Sequence, residues 1–210
     1  MSRLDRAGTT SDRMRERWNR RYASADTHST PVPSRFLVAE VSDLPPGRAL
    51  DLACGAGRNA VWLAERGWHV TAVDFSDVGL SIARKLAEAR GTTVDWIEAD
   101  VLTWTPTANA HDLVCVLYLQ LPADERRAVL QLAADAVRPG GTLLVIGHDL
   151  LNLTEGSGGP TQPDVLFTPD DIVREIGGLL IEKAERVRRP VDEGATTRDA
   201  IDALVRARRL

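Results

Sequence analysis

The chain has 210 residues, a length that a single α/β domain fills without splitting. Hydrophobic residues make up 43% and charged residues 27%, an ordinary globular composition that excludes wholesale disorder. The formal net charge is -4 and the basic residues are scattered, so the electrostatic footprint of a nucleic-acid binder is missing.

Residues 1–12 are polar and unpatterned and are read as a flexible N-terminal tail. No apolar leader follows them and no apolar run approaches membrane-spanning length, so a cytoplasmic chain without membrane contact is expected. From there Met14, Trp18 and Tyr22 recur at helical spacing among arginines, which predicts a short amphipathic helix. A second helix is expected over residues 34–42.

Pro45, Pro46 and Gly47 end that segment, and residues 49–54 read as a short buried strand that opens straight into glycines. Helical periodicity over 57–66 stops at Gly67, and residues 69–73 form strand two. Ser76 is a plausible N-cap for a helix that Gly91 ends. Strand three is expected at 94–97, strand four at 113–117, a helix over 122–137 and strand five at 142–146 after a Pro139-Gly140-Gly141 turn. Strands alternating with helices at this spacing predict a doubly wound, mostly parallel sheet in a three-layer αβα sandwich.

The last third differs. Residues 151–165 are rich in Gly, Pro, Thr and Asn and read as a long functional loop, with Gly156 to Pro160 shaping a pocket. A helix over 168–176 follows, then two alternating apolar and charged runs near 181–191 and 201–208 that predict an antiparallel hairpin at a sheet edge. The arginines of this hairpin, Arg186, Arg188, Arg189, Arg206, Arg208 and Arg209, are expected to form a solvated face. Cys54 and Cys115 fall in apolar runs and are expected to be free, packed thiols.

The chemistry centres on residues 51–57, where a buried strand delivers Asp51, Ala53 and Cys54 to Gly55 and Gly57 at the start of a helix. Such glycines let a ligand approach the backbone beside the positive end of the helix dipole. Gly55, Gly57 and Ala60 also satisfy the dinucleotide fingerprint, and Asp74 at the end of strand two can accept hydrogen bonds from a ribose in either reading. Asp51 separates the two, because an unpaired acid inside a strand is costly and an ammonium-bearing ligand would justify it.

This segment resembles the first motif of the class I S-adenosylmethionine-dependent methyltransferases. In that family the acid after strand two holds the ribose, matching Asp74, and the acid after strand three lies by the adenine, matching Asp100 with Val101 and Leu102. The Pro-Gly-Gly turn and the terminal hairpin also match, so the resemblance spans roughly residues 35–210. It implies S-adenosylmethionine as cofactor, a seven-stranded Rossmann-like sheet, and a single methyltransferase domain over 13–210. Within it, 13–45 would be a helical lid, 48–149 the cofactor-binding core, and 150–210 an acceptor loop and hairpin. The cofactor set implied is Trp18, Tyr22, Asp51, Ala53, Gly55, Gly57, Arg58, Asn59, Asp74, Phe75, Ser76, Asp100, Val101, Leu102 and Leu117. Arg58, Asn59, Trp18 and Tyr22 look like the tellurite-resistance and thiopurine methyltransferase-like branch. That likeness implies a small-molecule acceptor rather than a nucleic acid or a protein; a monomer or homodimer is expected.

In-line displacement at a sulfonium methyl needs alignment above all, so a general base is optional. The candidate is His148, placed with Asp149 just past strand five at the carboxyl edge of the sheet; a structural histidine is the alternative. Tyr118, after strand four, is a second catalytic candidate, with Gln120 a weaker companion. Two rival readings remain: a nicotinamide oxidoreductase, which predicts an all-parallel final strand, and a cofactor-binding module without catalysis.

Overall fold

The computed structural model describes residues 9–24, 31–193 and 196–210. Two helices, α1 (Thr10–Ser24) and α2 (Arg35–Val41), precede the sheet. Then come β1 (Arg48–Leu52), α3 (Arg58–Glu65), β2 (His69–Asp74), α4 (Asp77–Ala89), β3 (Asp95–Glu98), β4 (His111–Leu117), α5 (Ala123–Ala136) and β5 (Val137–His148). The chain ends with α6 (Asn152–Glu155), α7 (Pro169–Glu175), β6 (Leu180–Glu193) and β7 (Thr196–Arg208).

The strands form one seven-stranded sheet in the order β3-β2-β1-β4-β5-β7-β6. β1 pairs parallel with β2 and with β4, and β4 pairs parallel with β5. β7 runs antiparallel between β5 and β6, so the expected hairpin is present and the final strand is not parallel.

Residue alternation along β1 sorts the two cores. Leu50 and Leu52 join Val129 and Leu130 of α5 and Ile172 of α7, while Ala49 joins Leu37 of α2, Leu63 of α3 and Leu80 of α4. Helices therefore cover both faces, as near-continuous apolar parallel strands require. On the α5 face, Arg126 and Glu175 form a buried two-pronged ion pair, with Nε and Nη2 donating to the carboxylate at 2.9 and 2.7 Å.

Several boundaries differ from the sequence reading, each for a local reason. Strand one stops at Leu52 rather than Cys54, because Ala53 takes a left-handed φ of +58°. α1 starts at Thr10, inside the expected tail: the Thr9 hydroxyl accepts from the Asp12 N–H at 3.1 Å, while Asp12 accepts from the Thr9 N–H at 3.0 Å. The expected Pro139-Gly140-Gly141 turn lies within β5, where Gly140 N–H donates to Arg209 O at 2.8 Å. The expected loop over 151–165 contains α6 and a 3-10 turn at Pro163–Val165. Part of the assigned tail, residues 1–8, lies outside the described residues.

One glycine of the motif serves packing. Gly57 has φ +77° and a Cβ there would fall 2.6 Å from Ala83 Cβ and 2.7 Å from the Trp96 ring. Gly57→Ala is expected to cost at least about 2 kcal/mol, combining ~1–2 kcal/mol for a left-handed side chain with ~1–3 kcal/mol of overpacking. Urea denaturation measures this; an unchanged midpoint would mean α4 yields to the methyl group.

Candidate active site

The carboxyl ends of β1, β2 and β4 lie side by side at one edge of the sheet, where open α/β folds bind ligands, and the first turn after β1 lies there. Cys54 N–H donates to Val73 O at 3.0 Å and Gly57 N–H to Cys54 O at 3.0 Å, closing a tight bend that ends at the first residue of α3. Gly55 has φ +58°, a conformation glycine adopts without steric cost.

Asp51 lies behind that bend at 1% exposure, and its Oδ2 has no hydrogen-bond partner. Burial, with the like charge of Asp74 next, pushes its pKa up to about 7 against a weaker opposing pull from Arg58. Asp74 is also buried, but each oxygen is engaged: Gly55 N–H donates to Oδ2 and Ser76 N–H to Oδ1, both at 2.8 Å. Burial raises its pKa, while the bonds from Ser76, Gly55 and Phe75 resist that shift. Each Asp74 oxygen keeps a second lone pair for a ligand hydroxyl.

Asp100 stands past β3, with Leu102 N–H donating to its Oδ1 at 2.9 Å and the Ser11 hydroxyl donating to Oδ2. Val101 and Leu102 are half-buried beside it, Phe75 is half-buried after β2, and Leu117 is buried at the end of β4.

Helix α1 lies across this edge although it buries no residue completely. Trp18 and Tyr22 stack with ring centroids 5.6 Å apart, and a Cβ on Gly55 would fall 2.4 Å from the Tyr22 hydroxyl. Burial and the charge of Asp74 raise the Tyr22 pKa, so its hydroxyl stays protonated. The Ser76 hydroxyl donates to Asn19 Oδ1 at 2.6 Å, and Asn19 Nδ2 donates to Asp77 at 2.7 Å, tying α1 to the start of α4. Asn19 and Ser11 escaped the sequence reading because polar residues on an amphipathic helix carry no signal of their own.

Two expected site residues, Asn59 and Arg58, differ in their surroundings. Asn59 is buried with Oδ1 accepting from Ser34 N–H at 2.9 Å, which fixes the start of α2. Arg58 is exposed, and only its charge reaches Asp51. Cys54 and Cys115 are free and buried; burial and nearby carboxylates raise both thiol pKa values, so neither is a ready nucleophile.

A second cluster gathers at the ends of β4 and β5. His148 Nδ1 is 3.2 Å from Asp202 Oδ1, within ion-pair range although the ring is turned off a straight hydrogen bond. The Tyr118 hydroxyl donates to Asp202 Oδ2 at 2.8 Å, and Arg189 Nε donates to the same oxygen at 2.7 Å. Tyr118 takes φ +59°, an uncommon strain for a bulky residue, and its ring lies 5.4 Å from that of His148. Burial and the charge of Asp202 push the Tyr118 pKa up to about 12, so it acts here as a hydrogen-bond donor rather than a base. Gln120 is enclosed nearby in sequence with neither end of its amide partnered. Gly159 has φ +79° and a Cβ there would fall 2.8 Å from His148 Nδ1, so the 156–160 loop lies against the imidazole.

The arginines of the hairpin are not simply a solvated face. Arg186 Nε donates to buried Asp149 at 2.9 Å, Arg189 pairs with Asp202, and Arg206 reaches Glu182 and Glu40. The sequence reading missed Asp202, whose signal was present: a lone acid in the apolar run of residues 200–205, the same anomaly that marks Asp51 in β1.

Residues 49–141 match the family described as a methyltransferase domain. The stretch from β1 into β5 is therefore similar to a methyltransferase domain. Over 104 residues the chain is 40% identical to the demethylmenaquinone methyltransferase of Thermus thermophilus, covering 48% of this chain and 47% of that one. Over 124 residues it is 36% identical to the trans-aconitate 2-methyltransferase of Rhizobium meliloti, covering 57% and 46%. The chain thus spans about half the length of these curated relatives. Among solved structures, the fold matches a protein described in the conversion of a disulfide bond into a thioacetal group during echinomycin biosynthesis. That match has a TM-score of 0.75 and 24% identity, over 93% of this chain and 91% of that one. TehB from Haemophilus influenzae matches with a TM-score of 0.72 and 16% identity, over 87% and 64%. Among the described residues no helix is long and apolar enough to cross a membrane, and no group of three or more His, Cys, Asp or Glu is placed to hold a metal ion.

Proposed function

We propose that this chain transfers a methyl group from S-adenosylmethionine to a small-molecule nucleophile. The observation that carries the reading is the unpartnered, buried carboxylate of Asp51 beside a glycine bend and a second acid, Asp74. A buried acid without a partner is expensive, and a cationic amino acid moiety is the ligand chemistry that would compensate it.

The donor set suits the chemistry of the cofactor, with acids for a cation and for hydroxyls and apolar side chains for a base. Asp51 would hold its ammonium, the backbone at Ala53 and Gly55 its carboxylate end, Asp74 its ribose hydroxyls, and Asp100 with Val101 and Leu102 its adenine. Trp18 and Tyr22 would cover it as a lid, a role that suits a helix docked without a fully buried residue. When bound, S-adenosylmethionine supplies a methyl group on a sulfonium, open to in-line displacement without a covalent enzyme intermediate. The protein's own work is then to align the acceptor and exclude water, which in well-oriented reactions contributes on the order of 7–11 kcal/mol.

The aromatic pair on α1 also favours placement near the tellurite-resistance and thiopurine methyltransferase-like branch. The demethylmenaquinone and trans-aconitate methyltransferases, both named for small acceptors, support a small-molecule substrate here.

Calorimetry with S-adenosylhomocysteine tests the site, and incubation of S-adenosylmethionine with thiols, phenols, heterocyclic hydroxyls and tellurite tests the transfer. Saturable binding and S-adenosylhomocysteine formation with an acceptor are expected. Absent binding, or saturable uptake of a reduced nicotinamide cofactor instead, would overturn the reading; binding with no turnover on any acceptor would reduce the chain to a binding module.

A further inference from the structure

We propose that Asp202 is a positioning residue that fixes the proton of His148 on Nδ1, leaving Nε2 to take a proton from an acceptor bearing an O–H or S–H group. The proposal rests on the methyltransferase reading of the site and deepens it by naming the acceptor class.

The geometry begins with the pairing of β5 and β7, which sets His148 directly across from Asp202. Asp202 has no exposed surface, and its carboxylate gathers groups from three elements: His148 of β5, Tyr118 after β4 and Arg189 of β6. Its two oxygens are divided between them. Tyr118 and Arg189 both donate to Oδ2, whereas Oδ1 has no hydrogen-bond partner and lies 3.2 Å from His148 Nδ1, which has none either. A structural ion pair with Arg189 would need no histidine across the strand. An orphaned carboxylate oxygen facing a ring nitrogen selects the tautomer with hydrogen on that nitrogen.

The surroundings hold the ring in place. Tyr118 lies 5.4 Å away between ring centroids, the 156–160 loop lies against Nδ1 and Cε1 through Gly159, and the imidazole is 12% exposed. His148 ends β5, whose Ile146 pairs with Leu117, so it sits on the same carboxyl edge of the parallel strands as Asp51 and Gly55.

The transfer then balances as follows. The proton of the acceptor's O–H or S–H moves to His148 Nε2, and the electron pair it leaves forms the new bond from oxygen or sulfur to the methyl carbon. The pair of the old methyl–sulfur bond stays on the donor sulfur, discharging the sulfonium, and Asp202 stabilises the imidazolium that results. An acceptor that arrives already ionised, such as thiocyanate, has no proton to give and gains little from this pair.

The division of the carboxylate oxygens gives Asp202→Asn a defined effect. With two donors facing one oxygen position, the amide must keep its carbonyl there and turn its NH2 toward His148, forcing the hydrogen onto Nε2. Shape and the bonds to Tyr118 and Arg189 are retained.

Long-range proton–nitrogen NMR on the full ¹⁵N-labelled chain with S-adenosylhomocysteine, at a pH where the nitrogen shifts themselves show a neutral ring, reads the tautomer without any acceptor. We expect Nδ1–H in the native protein and Nε2–H in Asp202→Asn. Turnover of 2-mercaptoethanol and catechol by Asp202→Asn should fall by about 100-fold or more through kcat, the contribution of a positioned base. The loss on thiocyanate should be at least about tenfold smaller, as catalysis without a proton to remove requires. An Nε2–H tautomer in the native protein, equal losses on protic and ionised acceptors, or unchanged turnover of a protic acceptor in the variant would each overturn the proposal. Failure of S-adenosylhomocysteine to bind, seen by calorimetry on the same sample, would instead overturn the reading of the site, because the tautomer is set by the protein alone.

Discussion

Asp74→Ala is expected to weaken S-adenosylhomocysteine binding by at least about a hundredfold. In the native protein Gly55 and Ser76 N–H groups aim the carboxylate, one on each oxygen at 2.8 Å, so the second lone pairs are fixed before any ligand arrives. Hydrogen bonds to a charged group contribute about 1.5–3 kcal/mol each, and two ribose hydroxyls would lose both. At about 1.4 kcal/mol per tenfold, the loss reaches two decades or more. The alanine also leaves two buried N–H groups unpartnered, so the glycine bend loosens with the ligand site. Calorimetry reads the affinity and urea denaturation reports whether the fold survived. A folded variant that bound S-adenosylhomocysteine as the native protein does would remove Asp74 from the site.

What the sequence discloses and what it hides divides along physical lines. The parallel strands are legible because burial on both faces leaves continuous apolar runs such as residues 113–117 and 142–146, and the Asp51 to Gly57 turn is legible because glycines directly after a buried strand mark a bend of the backbone. The end of β1 is not legible: nothing in the identity of Ala53 announces φ +58°. Asn59 shows the converse, a polar residue beside the glycines whose bond runs backward to Ser34, a partner fixed only by tertiary packing. The hairpin arginines look alike as sequence, and only strand register tells Arg186 and Arg189, paired with buried acids, from their neighbours. Asp202 was readable by the logic applied to Asp51, but its meaning depends on β7 lying beside β5, which chain order does not reveal.

The two strained non-glycine residues at strand ends, Ala53 and Tyr118, follow β1 and β4, which are neighbours in the sheet. Backbone strain of this kind persists where surrounding structure over-determines it, and here it bends the chain after two neighbouring strands at one edge of the sheet. On the proposed reading the cofactor half of the site is built from backbone and carboxylates, and the acceptor half from His148 of β5, Tyr118 after β4, and Arg189 and Asp202 of the hairpin. Helix α1 bridges both the Asp74 and Asp100 ends, through Tyr22 and Ser11. A ligand entering between them has to move a helix that is held by a few polar bonds rather than by a buried apolar stripe.

The charge state of Asp51 should couple cofactor binding to pH. Burial first, and Asp74 next, put its pKa at about 7 in the ligand-free protein, above the ordinary carboxylate value of 3.8. Between those values the unfolded chain ionises this group and the folded chain does not, so stability falls as pH rises through that window and levels off above about 7. Asp51→Asn should abolish that slope and make the ligand-free protein more resistant to urea at about pH 8, beyond the native titration. A ligand ammonium reverses the preference, because it favours the ionised acid. Native affinity for S-adenosylhomocysteine should therefore weaken as pH falls below about 7, by up to about tenfold per unit. Binding near that pH should release a proton, seen as a dependence of calorimetric heat on the buffer's ionisation enthalpy. Asp51→Asn should bind more weakly at about pH 8, converge toward the native affinity as pH drops, and release no proton from this position. Equal affinity of the two proteins across the whole range, with identical heats in every buffer, would mean that the buried acid faces something other than the ligand's charge.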